Sequence, residues 1–467
     1  MAEPKYPSRR DALKAAGAVS IATAAVRHAQ GAPAILTARA TTAPVNYGMV
    51  GTGSRGTYLL KHLKGIDSGA CVAICDLTDD AMNKAQQTIG GNPKRYKDWR
   101  ALLDDKNVEA VYVTTPLFLH FPVTKDALEA GKHVFCEKSL VFRPEEVHAL
   151  RALCAARPKQ ILQTGLQRRY SALYQAARNM IQRGVLGEVT HVTAQWHRNP
   201  GWKYAKEKGE MGNWRLFRKW SGGLVAELAS HQIDVADWML GMTPETVMGL
   251  GTRDFMNDVR DIYDNVQLIY KYPKGRRMLW TGISTSSHLP ALQGGRTEMG
   301  EIIMGTQGSL HITIGDDNNK PIAMWFREPN PPAAAVPAKD AKKEKFVAGS
   351  TMVSAAGGRA LPVFLEKDMM TGKESFLEKE MKFARQWLMA KGILMPEEDR
   401  NPVDIQLESF FDACRTGKRP KADLDIGLHD SVAVILSNLA MDEARPVQFS
   451  EIEKMGKTPE KPATKKG

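Results

Sequence analysis

Residues 47–60, YGMVGTGSRGTYLL, run from an apolar, strand-like stretch through a glycine-rich turn into a helix-like repeat. Gly51-Thr52-Gly53-Ser54-Arg55-Gly56 is a GxGxxG in the context that gives the pattern meaning, with a strand before it and a helix after it. The first glycine makes the tight turn, the second lets backbone N–H groups approach a pyrophosphate, and the third lets helix and strand pack closely. Asp76 closes the next apolar run, ACVAICD, about twenty residues on, where a carboxylate accepts from both ribose hydroxyls. Gly51, Gly53, Ser54, Arg55, Gly56 and Asp76 are therefore the expected dinucleotide contacts. Leu77 and Thr78 follow Asp76 where a basic residue would be needed to offset a 2′-phosphate, so NAD is expected over NADP.

Outward from this motif, apolar runs alternate with helical patterns through VEAVYVTTP, KHVFCEK and ILQTGLQ. Continuously apolar strands alternating with helices mark a buried, doubly wound parallel sheet, expected over residues 45–166. Thr114–His120 and Glu137-Lys138 end two of its strands, at the carboxyl edge where ligands bind in such sheets. From residue 167 the order changes. EVTHVTAQWHRN, NVQLIYKYP, RRMLWTGIS, GEIIMGTQG and SLHITIG alternate apolar and polar residues with few helices between them. A C-terminal α+β domain with a large, mostly antiparallel open sheet is expected over 167–450. Residues 316–373, rich in Pro, Ala and Lys, read as a long loop or insertion, and 451–467 as a tail. Helical patterns return in ESFLEKEMKFARQWLMA, VDIQLESFFDACRTG and GLHDSVAVILSNLAM.

The chain has 467 residues, 43% of them hydrophobic and 25% charged, enough for two cores in a folded, soluble protein. Its formal net charge of +12 is dispersed among acidic residues without basic–aromatic runs, which argues against nucleic-acid binding. Five cysteines show neither CxxC nor zinc-ligand spacing, so no disulfide framework is expected. At the N-terminus SRRDALK precedes a mild Ala-rich stretch and the small-residue sites around Ala34 and Ala40. Residues 1–40 resemble a twin-arginine export signal, with Ala12 where Phe is usual. A periplasmic or secreted location, reached through the twin-arginine machinery in folded form, follows as an expectation.

GGLVAELASHQIDVADWML, residues 222–240, places Glu227, His231 and Asp234 at i, i+4 and i+7, on one face of a regular helix. Taken alone the stretch is open to three readings: a metal site, an acid/base site, or a helix whose polar groups are simply satisfied. The chain has no HExxH and proposes no third strong ligand, so no metal is expected.

Together the GxGxxG unit, the TP with a following His, Glu137-Lys138, LQTGLQRRY and the GG…ExxxHxxD…W helix resemble the glucose-fructose oxidoreductase / inositol dehydrogenase / MocA family. The resemblance runs in order from about Val45 to Ile314, and the closing helical patterns share it. It implies hydride transfer between a nicotinamide and a sugar or polyol carbon, with Lys138 as catalytic lysine, His231 as acid/base and Glu227 as the carboxylate one turn before it. It also implies Thr115, Pro116, His120, Glu137 and Gln167 on the cofactor side, and Lys138, Arg168, Trp214 and Asp234 on the substrate side. Chemically, Glu227 is suited to orient the imidazole or bind a neighbouring hydroxyl, and Asp234 to support His231 or the helix. Two departures stand out: Ser139 replaces the usual Pro after Glu-Lys, and Glu227 stands where Asp is common. Trp196, His197, Trp202, Trp214 and Arg215 are candidates to line a carbohydrate cleft, since sugars present apolar C–H faces. The expectation is an exported NAD-dependent oxidoreductase with tightly held cofactor, acting as a homo-oligomer, dimer or tetramer, on a sugar, polyol or glycoside. Its rivals are an NAD-dependent glycoside-cleaving enzyme without net redox change and a non-catalytic sugar-binding protein.

Overall fold

The computed structural model describes residues 43–198, 202–286, 299–313, 322–328, 360–362, 375 and 400–456. The export-signal reading of residues 1–40, most of the 316–373 insertion, the helix expected in ESFLEKEMKFARQWLMA and residues 457–467 of the tail lie outside them.

Six strands and their crossovers build the first sheet: β1 (Val45–Val50), α1 (Ser54–Leu63), β2 (Gly69–Cys75), α2 (Asp79–Ile89), β3 (Lys94–Tyr96), α3 (Trp99–Asp104), β4 (Ala110–Val113), α4 (His120–Glu129), β5 (His133–Cys136), α5 (Pro144–Ala155) and β6 (Leu162–Thr164). The order is β3-β2-β1-β4-β5-β6 with every pair parallel. The order reverses between β1 and β4, which opens a crevice at the strands' carboxyl ends. Helices cover both faces, so β4 (AVYV) is buried at every position and reads as an unbroken apolar run.

The second sheet has nine strands among the described residues: β7 (Val189–His197), β8 (Thr246–Thr252), β9 (Asn265–Lys271), β10 (Arg277–Ile283), β11 (Met299–Gly305), β12 (Gly308–Thr313), β13 (Ile322–Arg327), β14 (Ala360–Pro362) and β15 (Val447–Gln448). Its order is β14-β13-β12-β11-β7-β10-β9-β8-β15, antiparallel except where β10 runs beside β7. Among the described residues one face is covered, by helices that include α7 (Ser230–Leu240), which follows α6 (Ala172–Gln182) in the chain. Burial therefore alternates along β9 and β10, as it must on a half-covered sheet.

The last two helices divide between the sheets. α8 (Pro402–Thr416), started by the Asn401 cap and Pro402, returns to the first sheet, where Phe410 and Phe411 pack against Tyr47, Tyr112 and Phe135. A Cβ on Gly69 would lie 2.1 Å from the Phe411 ring, so that glycine is what admits the helix. Residues 402–416 thus complete the nucleotide-binding layer, although they follow the second sheet in sequence. α9 (Leu424–Asp442) is apolar on nearly all sides and buried along most of its length, as a helix wedged between layers must be.

Candidate active site

The cofactor edge is shaped by backbone. Gly51 has φ +89°, and a Cβ there would come within 2.8 Å of the Thr114 carbonyl carbon and the Thr115 nitrogen. A Cβ on Gly56 would lie 2.1 Å from the Gly51 oxygen, whereas one on Gly53 meets nothing within 4 Å. Gly51 and Gly56 are thus required by the protein's own packing, and Gly53 and Ser54 border open, solvent-accessible space. Thr52 N–H donates to Asp76 Oδ2 (2.8 Å), and the Thr78 N–H and hydroxyl donate to Oδ1, so the acidic residue also braces the loop. α1 begins with neither a side-chain cap nor an acidic residue in its first turn, which leaves its N-terminus suited to an anion. Thr115 Oγ1 and Gln167 Oε1 are buried without partners at the ends of β4 and β6. Open space beside Gly53, a free helix N-terminus and these orphaned polar atoms fit a dinucleotide.

Not every expected cofactor contact is free to serve as one. Arg55 donates from Nε to Glu137 Oε1 (2.7 Å) and lies over the Tyr58 ring, tying the glycine loop to the end of β5. His120 spans two backbone carbonyls, Nδ1 to Ser139 O (2.7 Å) and Nε2 to Thr115 O (3.0 Å). Both ring nitrogens are therefore occupied, and His120 clamps the loops that follow β4 and β5. Burial holds its pKa below the ordinary imidazole value, although both carbonyls act in the opposite direction. Pro116 follows β4 and precedes a short 3₁₀ turn.

On the other wall, the regular helix expected through residues 222–240 is interrupted. Val225–Ala229 form a π-helical turn that leads into α7, so Glu227 does not share the uniform α-helical phase of His231 and Asp234. The turn presents its carbonyls to Lys138, whose Nζ donates to Ala226 O (2.9 Å) and Glu227 O (2.6 Å). The Lys138–Ser139 peptide is cis. Through these bonds the lysine at the end of β5 is fixed against the opposite wall.

The carboxylates take partners other than His231. Arg215 Nε donates to Glu227 Oε2 (2.8 Å), and Arg169 donates to Asp234 Oδ1 through Nε (2.8 Å) and Nη2 (2.7 Å). The supporting role expected of Asp234, and of Glu227 as orienter of the imidazole, is not what the structure shows. A carboxylate this deep requires a counter-charge, and the arginines supply it. His231 is buried against Trp196, rings stacked at 5.8 Å and 26°, and its Nδ1 has no partner. Burial pushes its pKa well below the ordinary value, and the charges of Lys138, Arg168 and Arg55 push the same way. Lys138 is also lowered by burial, opposed by Glu227, Glu137 and Asp430. For Glu227, burial acts upward but Arg215 and Lys138 outweigh it and hold the carboxyl below its usual range.

Arg168 forms a buried pair with Glu301 of β11, whose other oxygen accepts from Tyr174 OH (2.7 Å); the Nη2 of Arg168 has no partner. Arg215 lies 4.3 Å over Trp214 and 5.9 Å over Trp202, and Arg198 covers Trp202 at 5.0 Å. This aromatic–guanidinium row adjoins Glu227. His197, expected in the cleft, is buried in the second sheet with Nε2 2.9 Å from Thr281 Oγ1 of the neighbouring strand. Among the described residues no group of three or more His, Cys, Asp or Glu converges to hold a metal. Arg169, Glu301 and Asp430 were not foreseen. The trace of Glu301 in the sequence is a lone charge inside GEIIMG, at a position whose neighbours belong to a sheet core.

Residues 45–165 match the family model described as the NAD-binding Rossmann fold of the oxidoreductase family, and residues 178–340 match its C-terminal alpha/beta domain. The chain belongs to the glucose-fructose oxidoreductase / inositol dehydrogenase / MocA family. As in that family, its first domain is an NAD-binding Rossmann domain. It is 28% identical over 207 residues to the myo-inositol 2-dehydrogenase of Thermotoga maritima, covering 44% of this chain and 58% of the relative. To the inositol 2-dehydrogenase of Salmonella typhimurium it is 30% identical over 205 residues, or 43% and 56%. The matched segments thus span little more than half of these relatives. The crystal structure of aldose-aldose oxidoreductase from Caulobacter crescentus complexed with glycerol shares the fold, with TM-score 0.63 and 19% identity over 87% of this chain and 99% of that one.

Proposed function

We propose that this protein is an NAD-dependent oxidoreductase that oxidises or forms a carbinol carbon of a sugar, polyol or glycoside. The observation that carries the reading is that Lys138, from the nucleotide-binding sheet, is fixed beside a neutral, buried His231 with an orphaned Nδ1. When bound, NAD supplies the hydride acceptor. The chain's own groups handle the proton: a neutral imidazole accepts it from the substrate hydroxyl. Lys138 donates a hydrogen bond to the same oxygen and stabilises its alkoxide character. Glu227, ionised and held by Arg215, binds a neighbouring hydroxyl, while the Trp202 and Trp214 faces suit the C–H face of a sugar ring. Inositol dehydrogenases among the relatives support a polyol or sugar.

Two further parts of the reading rest on sequence and surface. Residues 1–40 support twin-arginine export to the periplasm or exterior, where free NAD is scarce, and thus a cofactor carried out with the fold and recycled in each catalytic cycle. Met248 and Ile269, paired across β8 and β9, are exposed with Leu250 on the sheet face that no described residues cover, which supports a homo-oligomer.

The test is to denature one portion of purified protein and assay released nicotinamide, then give the intact remainder a panel of sugars, polyols and aryl glycosides. Cycling of bound-nicotinamide absorbance with an oxidised or reduced product is the expected result. Aglycone release without net NADH would assign glycoside cleavage instead, and a protein that neither holds nor binds nicotinamide would overturn both readings.

A further inference from the structure

Four carboxyl groups act electrostatically on Lys138 or lie around it: Glu137, Glu227, Asp234 and Asp430. Three are committed to arginines: Glu137 to Arg55, Glu227 to Arg215 and Asp234 to Arg169. Two more carboxyls nearby are also engaged, Asp237 by the Tyr272 hydroxyl (2.7 Å) and Glu301 by Arg168 and Tyr174. Asp430 of α9 is the exception. It is 1% exposed and is paired with no arginine, and the hydroxyl that faces it is that of Ser139. Ser139, next in sequence to Lys138, is likewise buried, and its hydroxyl has no other partner.

Packing brings these groups together. A Cβ on Gly427 would lie 2.2 Å from Thr164 Oγ1 and 3.0 Å from Leu140 Cδ2, so α9 presses directly on the ends of β5 and β6. One residue past Asp430, Ser431 Oγ accepts from Val141 N–H (3.2 Å), which fixes the helix to the segment that carries Lys138 and Ser139. The groups facing Asp430 are Lys138 and Ser139 from the end of β5, Asp234 and Asp237 from α7, and Tyr270 from β9, whose hydroxyl is shared with Ser437 at 2.7 Å.

We infer that Asp430 is a positioning residue for the proposed reaction: the internal counter-charge of Lys138, acting across the buried Ser139 hydroxyl. One proton serves the pair, which exists as ammonium with carboxylate or as amine with carboxylic acid. In either form the pair is neutral, so Lys138 sits beside the substrate oxygen without a net buried charge of its own while His231 takes the proton. A serine at 139 contributes a hydroxyl to this pairing that the family's usual proline would not. Burial raises the Asp430 carboxyl and lowers the Lys138 ammonium, which brings the two titrations toward each other.

The inference rests on Lys138 being the catalytic lysine, and its test reads the lysine both with and without turnover. In full-length protein carrying 13C-labelled lysine, the Lys138 side-chain signal, assigned by its loss in Lys138→Met, is titrated in wild type, Asp430→Asn and Ser139→Ala. The expected result is a Lys138 midpoint lower by about one pH unit in Asp430→Asn, a tenfold change in its proton affinity, with a smaller shift in Ser139→Ala. If wild type turns over, kcat in Asp430→Asn falls about tenfold at unchanged KM, with its pH profile displaced in the same direction. A Lys138 midpoint unmoved in both variants, with only thermal stability altered, would reduce Asp430 to packing. A wild type inactive on every substrate, yet with the midpoint shifted by Asp430→Asn, would overturn the functional reading and leave the pairing intact.

Discussion

The two walls of the cleft are built on different principles. The wall at the end of the first sheet is made by backbone: a glycine turn and a free helix N-terminus, specified within some thirty residues of sequence, and beside them the loops that end β4 and β5. The wall on α7 is made by side-chain charges, and their partners come from far along the chain. Asp234 is held by Arg169 and Glu227 by Arg215, the carbonyls at 226 and 227 take Lys138 from the facing wall, and Asp430 approaches from α9. A site defined by backbone tolerates little change of shape but is indifferent to pH. A site defined by buried charges tolerates shape and responds to protons.

Four measurements sharpen or break that contrast. The largest effect belongs to the charge-built wall. His231→Ala is expected to lower kcat by about 10²- to 10⁴-fold while leaving NAD affinity within about twofold. Full activity in this variant would remove the acid/base assignment. Next come two glycines only three residues apart. Gly56→Ala forces a methyl to 2.1 Å from the Gly51 oxygen and should destabilise the fold by about 3 kcal/mol in denaturant melts. Gly53→Ala has open space around it and should melt like wild type, yet bind NAD about tenfold more weakly by calorimetry, because its methyl occupies the cofactor's side of the turn. Equal effects at both positions would mean that the loop is shaped for packing alone.

The third concerns pH. Asp237 is half-buried, and desolvation raises its carboxyl pKa from 3.8 to about 8. Between those values the folded protein holds a proton that the unfolded chain has lost, so this group's contribution to stability falls as pH rises and levels off above about 8. Asp237→Asn abolishes that dependence. Its unfolding free energy, read from denaturant melts, should exceed that of wild type by a margin that grows from pH 5 to pH 8, reaching on the order of 2 kcal/mol. A margin independent of pH would show that Asp237 does not titrate in this window. The smallest effect is expected at Arg215, which is partly exposed. Arg215→Ala leaves the Glu227 carboxylate without its arginine and should raise KM for the substrate several-fold. A lowered kcat at unchanged KM would instead place Arg215 in transition-state binding.

The contrast also explains what was readable in the chain. The glycine turn, Asp76 and the carboxyl-edge positions of Thr115 and Glu137 were visible because each depends on a local pattern whose geometry travels with the sequence. The open, alternating sheet was visible for the same reason, through its period of two. His120 was identified but its task was not, since a clamp between two carbonyls depends on where the loops after β4 and β5 meet. His197 was placed in the cleft by composition, and only the register of β7 beside β10 sends it to Thr281.

In the helix of residues 222–240, sequence by itself determined which ionisable residues are present, their spacing, and that a dinucleotide-binding domain precedes them. Tertiary structure decided what each one does. The π-helical turn takes Glu227 out of phase and offers carbonyls to Lys138, and Arg169 claims Asp234. His231 is left buried and unpaired. Local periodicity fixes which way a side chain points, but a buried charge is assigned by whichever counter-charge the fold brings within a few ångströms.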